Sequence, residues 1–392
     1  MPQPAGRRSG PALRRYRGRT LWLRLHLWLG AGLGLFFALL GLTGSLLVFD
    51  DEIDARLNPQ LLLSEQEGER IAPDAALNAI AADADPAFRT AWLSAPRLER
   101  GTWQAFGGPD DDPFGHMVAV DPVSGEVLGS RSLRSGFVAF VYSLHTRLLL
   151  GLDGRNVVGA LGIAFTLSLI TGAILWLSRR NRPRGGAQVI IPARSGQRMA
   201  STHRLLGITL LVPLLVVAGT GIGLRLPALV NPVIEVFSDL EDHASGARAA
   251  QDIAGARLPV DQALARAREH FPDAPLTGIG IPRNEGDVYQ FAFREADHPR
   301  RDIGRSYVWM DPLTGEILAT RRWVELKAGD RLRDWLNPVH GGTAFGLPGR
   351  LFVALLGLVP VILFITGLSI RLVRRGRSHS SPRIWSNCSP GR

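Results

Sequence analysis

Cysteine is almost missing from this chain: Cys388 is the only one in 392 residues. A disulfide framework and a cysteine-held zinc or iron–sulfur site therefore both lack their ligands. Lysine is as scarce, with Lys327 alone, so the excess of 45 Lys and Arg over 35 Asp and Glu is carried by arginine. No GxGxxG turn joins a strand to a helix and no flavin module is evident, which argues against a directly bound pyridine nucleotide. The most telling absence is that of charge. Between Arg24 and Asp50, Asn156 and Ser178, Arg204 and Arg225, and Arg350 and Arg371 there is no Asp, Glu, Lys or Arg. Each stretch holds roughly 20 residues or more, enough to cross a hydrocarbon core about 30 Å thick as a helix.

The arginines that are present cluster beside these stretches. Arg7, Arg8, Arg14, Arg15, Arg17 and Arg19 precede the first; Arg179, Arg180, Arg182, Arg184, Arg194 and Arg198 join the second to the third; Arg374, Arg375 and Arg377 come after the fourth. Basic residues in short membrane-flanking segments stay on the cytoplasmic side. The pattern predicts a multi-pass protein of the bacterial inner membrane with both termini cytoplasmic, and it explains the high isoelectric point without a nucleic-acid partner. The first apolar run is too long for a cleaved signal peptide and lacks a small-residue cleavage site, so it reads as a retained span.

The resulting division is a basic cytoplasmic tail (1–20), span one (21–50), a periplasmic module (51–135), an interfacial helix (136–153), span two (154–178), a basic cytoplasmic loop (179–202), span three (203–226), a second periplasmic module (227–330), an interfacial segment (331–348), span four (349–373) and a cytoplasmic tail (374–392). The expected fold is thus a membrane four-helix bundle with two α+β modules outside it, built by internal duplication.

The duplication is visible in the residues. His26 is followed by Thr43-Gly44 and His203 by Thr220-Gly221, an offset of 177. His145, Gly154-Arg155 and Thr171-Gly172 recur as His340, Gly349-Arg350 and Thr366-Gly367 at an offset of 195. Between them each module reads as a helix (72–82; 258–271) and then several strands. The strands finish around Asp121-Pro122-Val123-Ser124-Gly125-Glu126 and Asp311-Pro312-Leu313-Thr314-Gly315-Glu316. These hexapeptides read as hairpin turns, in which Pro presets φ and Gly accepts a positive φ; a carboxylate metal site is the rival reading.

Over about 20–373 the chain resembles the PepSY-associated transmembrane proteins, often called iron-regulated membrane proteins, and within them the siderophore-reductase branch. The resemblance rests on histidines ahead of TG-ended spans, the DPxxGE hairpins, and the LHT and GR elements at His145 and Arg155. It implies PepSY-type α+β modules and haem-mediated reduction of a ferric siderophore or chelate, releasing Fe(II) because hard oxygen ligands hold it less firmly.

Histidines within or beside a bilayer are costly enough to require partners. His26 and His203 fall near the cytoplasmic ends of spans one and three; His145 and His340 fall just ahead of spans two and four on the other side. Two imidazoles from neighbouring helices can ligate one haem iron, so the two pairs imply two bis-His b-type haems. Seventeen helical residues rise about 26 Å. Each haem held by one helix pair should therefore be lined by the TG steps of the other: Thr171-Gly172 and Thr366-Gly367 beside the inner pair, Thr43-Gly44 and Thr220-Gly221 beside the outer. Along span one, His26, Gly30, Gly34, Gly41 and Gly44 form one helical stripe, explained either by porphyrin clearance or by close helix packing.

Arg155 and Arg350 are placed either to meet haem propionates or to snorkel to lipid headgroups. Arg225 is matched by Val48 in the other half, so it has a role the repeat does not explain. His116, His243, His270, His298 and His379 lack duplicated placement and read as surface residues, while Trp92, Trp103, Trp309 and Trp323 mark where an acceptor cleft could lie. The electron donor would be a separate cytoplasmic reductase or a membrane quinol. Rivals stay open: a single haem, or a proton or metal relay, for the histidines; a membrane-anchored module that binds peptide or protease without redox activity; and a transporter, for which no broken-helix substrate site is evident.

Overall fold

The computed structural model describes residues 11–180, 195–241, 247–249, 256–300 and 303–379. Arg7, Arg8, Arg182, Arg184, Arg194, His243 and Cys388 lie outside these ranges. The chain divides into a helical unit (1–45, 157–219, 354–392) and a unit containing the β-sheet (46–156, 220–353).

In the helical unit, helices α1 (Pro11–Trp28) and α2 (Gly34–Leu47) are joined by a π-helical turn over Leu29–Leu33. Three apolar helical stretches are long enough to cross a membrane: Gly18–Leu47, Gly154–Ser178 and Thr343–Val373. The fourth is a bent pair, Gln197–Thr209 and Leu211–Arg225, with a 62° break. An uninterrupted third span is therefore not what forms. Pro213 supplies no N–H and its ring crowds the carbonyl of Thr209, which opens the helix at Leu210. The uniform stripe expected of span one is also interrupted, because a π turn adds a residue and rotates the helix beyond it. Leu33 and Leu210, at the end of one irregularity and at the other, differ by the repeat offset of 177. Leu169, Leu214, Leu356 and Val359 form a buried cluster that ties the second, third and fourth stretches together. At Gly41 and Gly357 two helices approach so closely that a Cβ on Gly41 would lie 2.3 Å from the Gly357 carbonyl oxygen. Ser45 Oγ donates across this crossing to the Ala354 carbonyl at 2.7 Å.

In the other unit the two modules are not separate. Strands β1 (Arg89–Ser94), β2 (Trp103–Gly108), β3 (His116–Val120) and β4 (Val127–Ser132) form an antiparallel meander, as do β5 (Leu276–Gly280), β6 (Tyr289–Phe293), β7 (Ser306–Met310) and β8 (Ile317–Arg321). The strand order β4-β3-β2-β1-β5-β6-β7-β8 makes them one eight-stranded sheet. At its seam Trp92 pairs with Gly280, Leu93 with Ile279 and Ser94 with Gly278. A Cβ on Gly278 would sit 2.4 Å from the Trp92 ring, so glycine makes room for the indole. Joining at β1 and β5 covers an edge that each half-sheet would otherwise expose.

Helices α5 (Pro73–Asp83) and α11 (Val260–Arg268) cover one face, burying Ala76, Ile80, Ala263 and Leu264 against Leu93, Ile279, Phe291 and Val308. Their N-termini are cross-capped. Asp74 accepts the N–H groups of Val260 and Asp261 at 2.9 Å each, and Asp261 accepts that of Asp74 at 3.2 Å. Each carboxylate thus satisfies orphan donors of the opposite helix, where the dipole favours negative charge. Burial, with Asp74 close by, raises the Asp261 carboxyl above its usual range. On the other face, α3 (Asp50–Leu57) and α4 (Pro59–Leu62) set Ala55 and Leu62 against Met117 and Ala119.

The hexapeptides are turns. Asp121 Oδ1 accepts from Val123 and Ser124, and Asp311 Oδ1 from Leu313 and Thr314, with Gly125 and Gly315 at φ of 75° and 70°. Trp103, Trp309 and Trp323 are buried in packing and Trp92 is half-buried at the seam. His298 corrects the expectation of a surface residue: it is 4% exposed, edge-on to Trp323, and beside Asp334 of α12 (Ala328–Gly341). His116 and His270 are exposed as expected.

Candidate functional site: paired histidines in each unit

In the helical unit His26 of α1 faces His203 of α8 (Ser195–Thr209), with ring centroids 6.2 Å apart and planes at 84°. The His26 Nδ1 contacts the Ser168 carbonyl at 3.0 Å and Thr171 Oγ1 at 3.1 Å. The His203 Nδ1 contacts the Leu363 carbonyl at 3.1 Å and Thr366 Oγ1 at 3.0 Å. A carbonyl oxygen can only accept, so each Nδ1 carries the proton and each Nε2 is left as a bare lone pair. Both threonines donate their own hydroxyl protons to carbonyls one turn back, Thr171 to Ser168 and Thr366 to Ile362. They are therefore free to accept from the imidazoles. The glycine after each threonine lets the ring lie flat against the helix. A Cβ on Gly172 would stand 3.1 Å from His26 Cε1, and one on Gly367 3.3 Å from His203 Cε1.

The same arrangement occurs in the sheet-containing unit. His145 of α6 (Phe137–Arg147) and His340 of α12 have ring centroids 6.2 Å apart and planes at 50°. Thr220 Oγ1 lies 3.2 Å from His340 Nδ1, and a Cβ on Gly221 would stand 2.9 Å from His340 Cε1. The TG steps at Thr171, Thr366 and Thr220 thus lie against histidines of the pairs at whose depth they were expected. Thr43 is buried and donates its hydroxyl to the Leu39 carbonyl, and Gly44 is half-buried in α2.

Between α1 and α8 opens a cavity of about 250 Å³, bordered by His26 and His203, by Gly30, Gly172, Gly207 and Gly367, and by Phe37, Phe165 and Trp176. A side chain added at Gly30 would meet nothing, whereas one at Gly34 would meet Phe364 and one at Gly41 the Gly357 backbone. Along the stripe, helix packing accounts for Gly34 and Gly41, and Gly30 faces open space. Arg19, Arg204 and Arg371 also border the cavity. Sequence reasoning assigned Arg19 to topology and passed over the other two; only the adjacency of Arg204 to His203 could have marked it.

The two interfacial arginines have different company. Arg350 makes a bidentate ion pair with Glu52, 2.6 Å at each contact, and donates to the Val48 carbonyl. That pairing lowers the Glu52 carboxyl below its usual range. Arg155 donates to the carbonyls of Arg225 and Leu224, at 3.2 and 3.4 Å. Glu52 was not foreseen, since the sequence offers no reason to connect the first span's exit with the start of the fourth.

Two imidazoles that share one metal through opposed nitrogens have centroids about 6 Å apart, given a metal–nitrogen bond of about 2 Å and a ring radius of about 1 Å. Both pairs have that spacing. Among the described residues no group of three or more His, Cys, Asp or Glu could hold a metal ion. A two-imidazole donor set suits a metal whose remaining positions are filled by a planar macrocycle, and a largely apolar cavity bordered by glycines suits the macrocycle.

Apolar spans of membrane length, paired histidines in both units and a duplicated helix-plus-meander sheet define a duplicated membrane protein. The chain belongs to the family described as PepSY-associated TM region, which matches residues 23–375. No curated protein matches it.

Proposed function

We propose that the protein is a membrane electron carrier holding two b-type haems, one between His26 and His203 and one between His145 and His340, in a four-helix arrangement with the sheet unit outside the cytoplasm. Its activity is one-electron reduction of a ferric siderophore or chelate, with electrons taken from a quinol or a cytoplasmic reductase. The observation that supports this most is the recurrence, in each unit, of one construction: imidazoles 6.2 Å apart with Nδ1 held by a threonine one residue before a glycine. Packing alone does not require it twice.

Haem b held by these histidines would supply one-electron transfer. The chain's contribution is orientation and polarity. Thr171 and Thr366, with the Ser168 and Leu363 carbonyls, fix the tautomer and raise the basicity of the ligating nitrogens, as partners behind metal-bound histidines do. Gly30, Gly172, Gly207 and Gly367 keep Cβ atoms out of the cavity, and Phe37, Phe165 and Trp176 exclude water from it. The test is to add quinol or a reducing cytoplasmic extract to membranes carrying the protein and monitor ferric chelate reduction with the b-type spectrum. Reduction of the spectrum by one donor and reoxidation by the chelate are expected; indifference to both would refute the reading.

A further inference from the structure

The repeat predicts matching corners where the span pairs meet the surface that the charge pattern assigns to the outside, yet their charges differ sharply. At one corner Arg350 is neutralised by Glu52 and sits over the Phe49 ring at 4.5 Å. At the other, Arg155 binds the backbone of Leu224 and Arg225, and the Arg225 side chain lies within electrostatic reach of Arg147, Arg155 and Tyr142. The positions corresponding to Arg147, Arg225 and Glu52 are Gly342, Val48 and Leu229. The second corner has therefore gained two arginines and lost its carboxylate. Among the described residues none of Arg147, Arg155 and Arg225 makes an ion pair. The nearest acid in sequence, Asp153, is exposed.

The segments flanking these arginines expose large apolar side chains. The loop between Arg147 and Arg155 carries Leu149, Leu150 and Leu152 at 50%, 56% and 82% exposure, and α10 (Pro227–Glu235), just after Arg225, exposes Leu229 and Val233 at 54% and 59%. Leu148 and Leu149 adopt φ of 51° and 59°, a left-handed backbone that non-glycine residues avoid and that persists where surrounding structure imposes it. Leucines thrust outward beside unpaired arginines, in continuity with an apolar span, match a bilayer's acyl chains and headgroups at once.

We propose that Arg147, Arg155 and Arg225 bind the phosphate of an anionic phospholipid, with the 148–153 loop and α10 seated among its acyl chains. The site is one-sided, and it does not depend on the haem reading. Arginine recognises phosphate by paired N–H donors, and each cation near an anionic surface contributes about a fivefold preference. The test places the full-length protein in lipid nanodiscs of phosphatidylcholine with a minor fraction of phosphatidylglycerol and measures, by native mass spectrometry, the lipid retained. Arg147→Gln/Arg225→Gln should lower the preference for phosphatidylglycerol roughly thirtyfold, while Arg350→Gln leaves it intact. Arg147→Gln alone, an exposed change that spares the fold, should lower it about fivefold. Equal retention of both lipids by the wild type, or an unchanged preference in the double variant, would overturn the proposal. So would loss of the b-type spectrum with lipid preference unchanged, which would give the arginines to the haem instead.

Discussion

Asp334→Ala is the most exacting test of how the sheet unit holds His340. Asp334 is 2% exposed and accepts from Arg321 at 2.7 Å and Arg305 at 3.0 Å, with His298 Nε2 at 3.8 Å. These contacts fasten α12 to β8 and to the residue just before β7, and His340 lies six residues further along the same helix. Burial pushes the Asp334 carboxyl up, but the His298 contact and the two arginines outweigh it, and the group is held below the ordinary range. Removing it deprives Arg321, whose side chain is 10% exposed, of its carboxylate. Breaking a buried pair from one side costs about 3–5 kcal/mol, and Arg305, 40% exposed, adds little. Because the folded carboxyl is the stronger acid, its contribution is complete above its unfolded value of about 4 and disappears as pH falls through the lower folded value. Denaturant unfolding of the detergent-solubilised protein, monitored by tryptophan fluorescence, should show the full loss at pH 7 for Asp334→Ala, a smaller loss for Asp334→Asn, and a difference from wild type that narrows as pH falls below about 4. A change below about 1 kcal/mol at pH 7 would refute the fastening.

Other expectations rest on single contacts. Thr366→Val removes a hydrogen-bond acceptor from His203 Nδ1 and should weaken cofactor retention in the helical unit about 10–100-fold, read as loss of Soret absorbance on dilution while the fold is retained. Gly278→Leu has no room beside Trp92; it should open the β1–β5 seam, speeding hydrogen exchange at Leu93 and Ile279, and exchange equal to wild type would count against the seam.

Much of this was legible in the residues because duplication writes each element twice. Three of the spans follow from the absence of charge and the DPxxGE turns from their Pro and Gly, while the depth that Thr171, Thr366 and Thr220 share with the histidine pairs follows from offsets and helical rise. The features that escaped depend on tertiary context. Nothing local tells β1 and β5 to pair, since alternation fixes which face of a strand is buried and not its neighbour. The π turn after Trp28 has no proline to announce it, and although Pro213 does mark the break at Leu210, a proline in an apolar span is compatible with a mild kink. Burial of His298 depends on Asp334 and Trp323, both distant in sequence. The contrast between Arg350 with Glu52 and Arg155 with backbone carbonyls lies where the halves diverge, and there repetition gives no guidance.

The claim on which the functional reading rests is that each histidine pair holds one haem. The direct measurement is the haem-to-protein ratio of the purified chain, by pyridine haemochrome and protein mass, for the wild type, His26→Ala and His145→Ala. Two haems per chain, falling to one in each variant with a different reduced-band position remaining, is the predicted result. A wild type without haem, or variants that both keep the full complement, would contradict it.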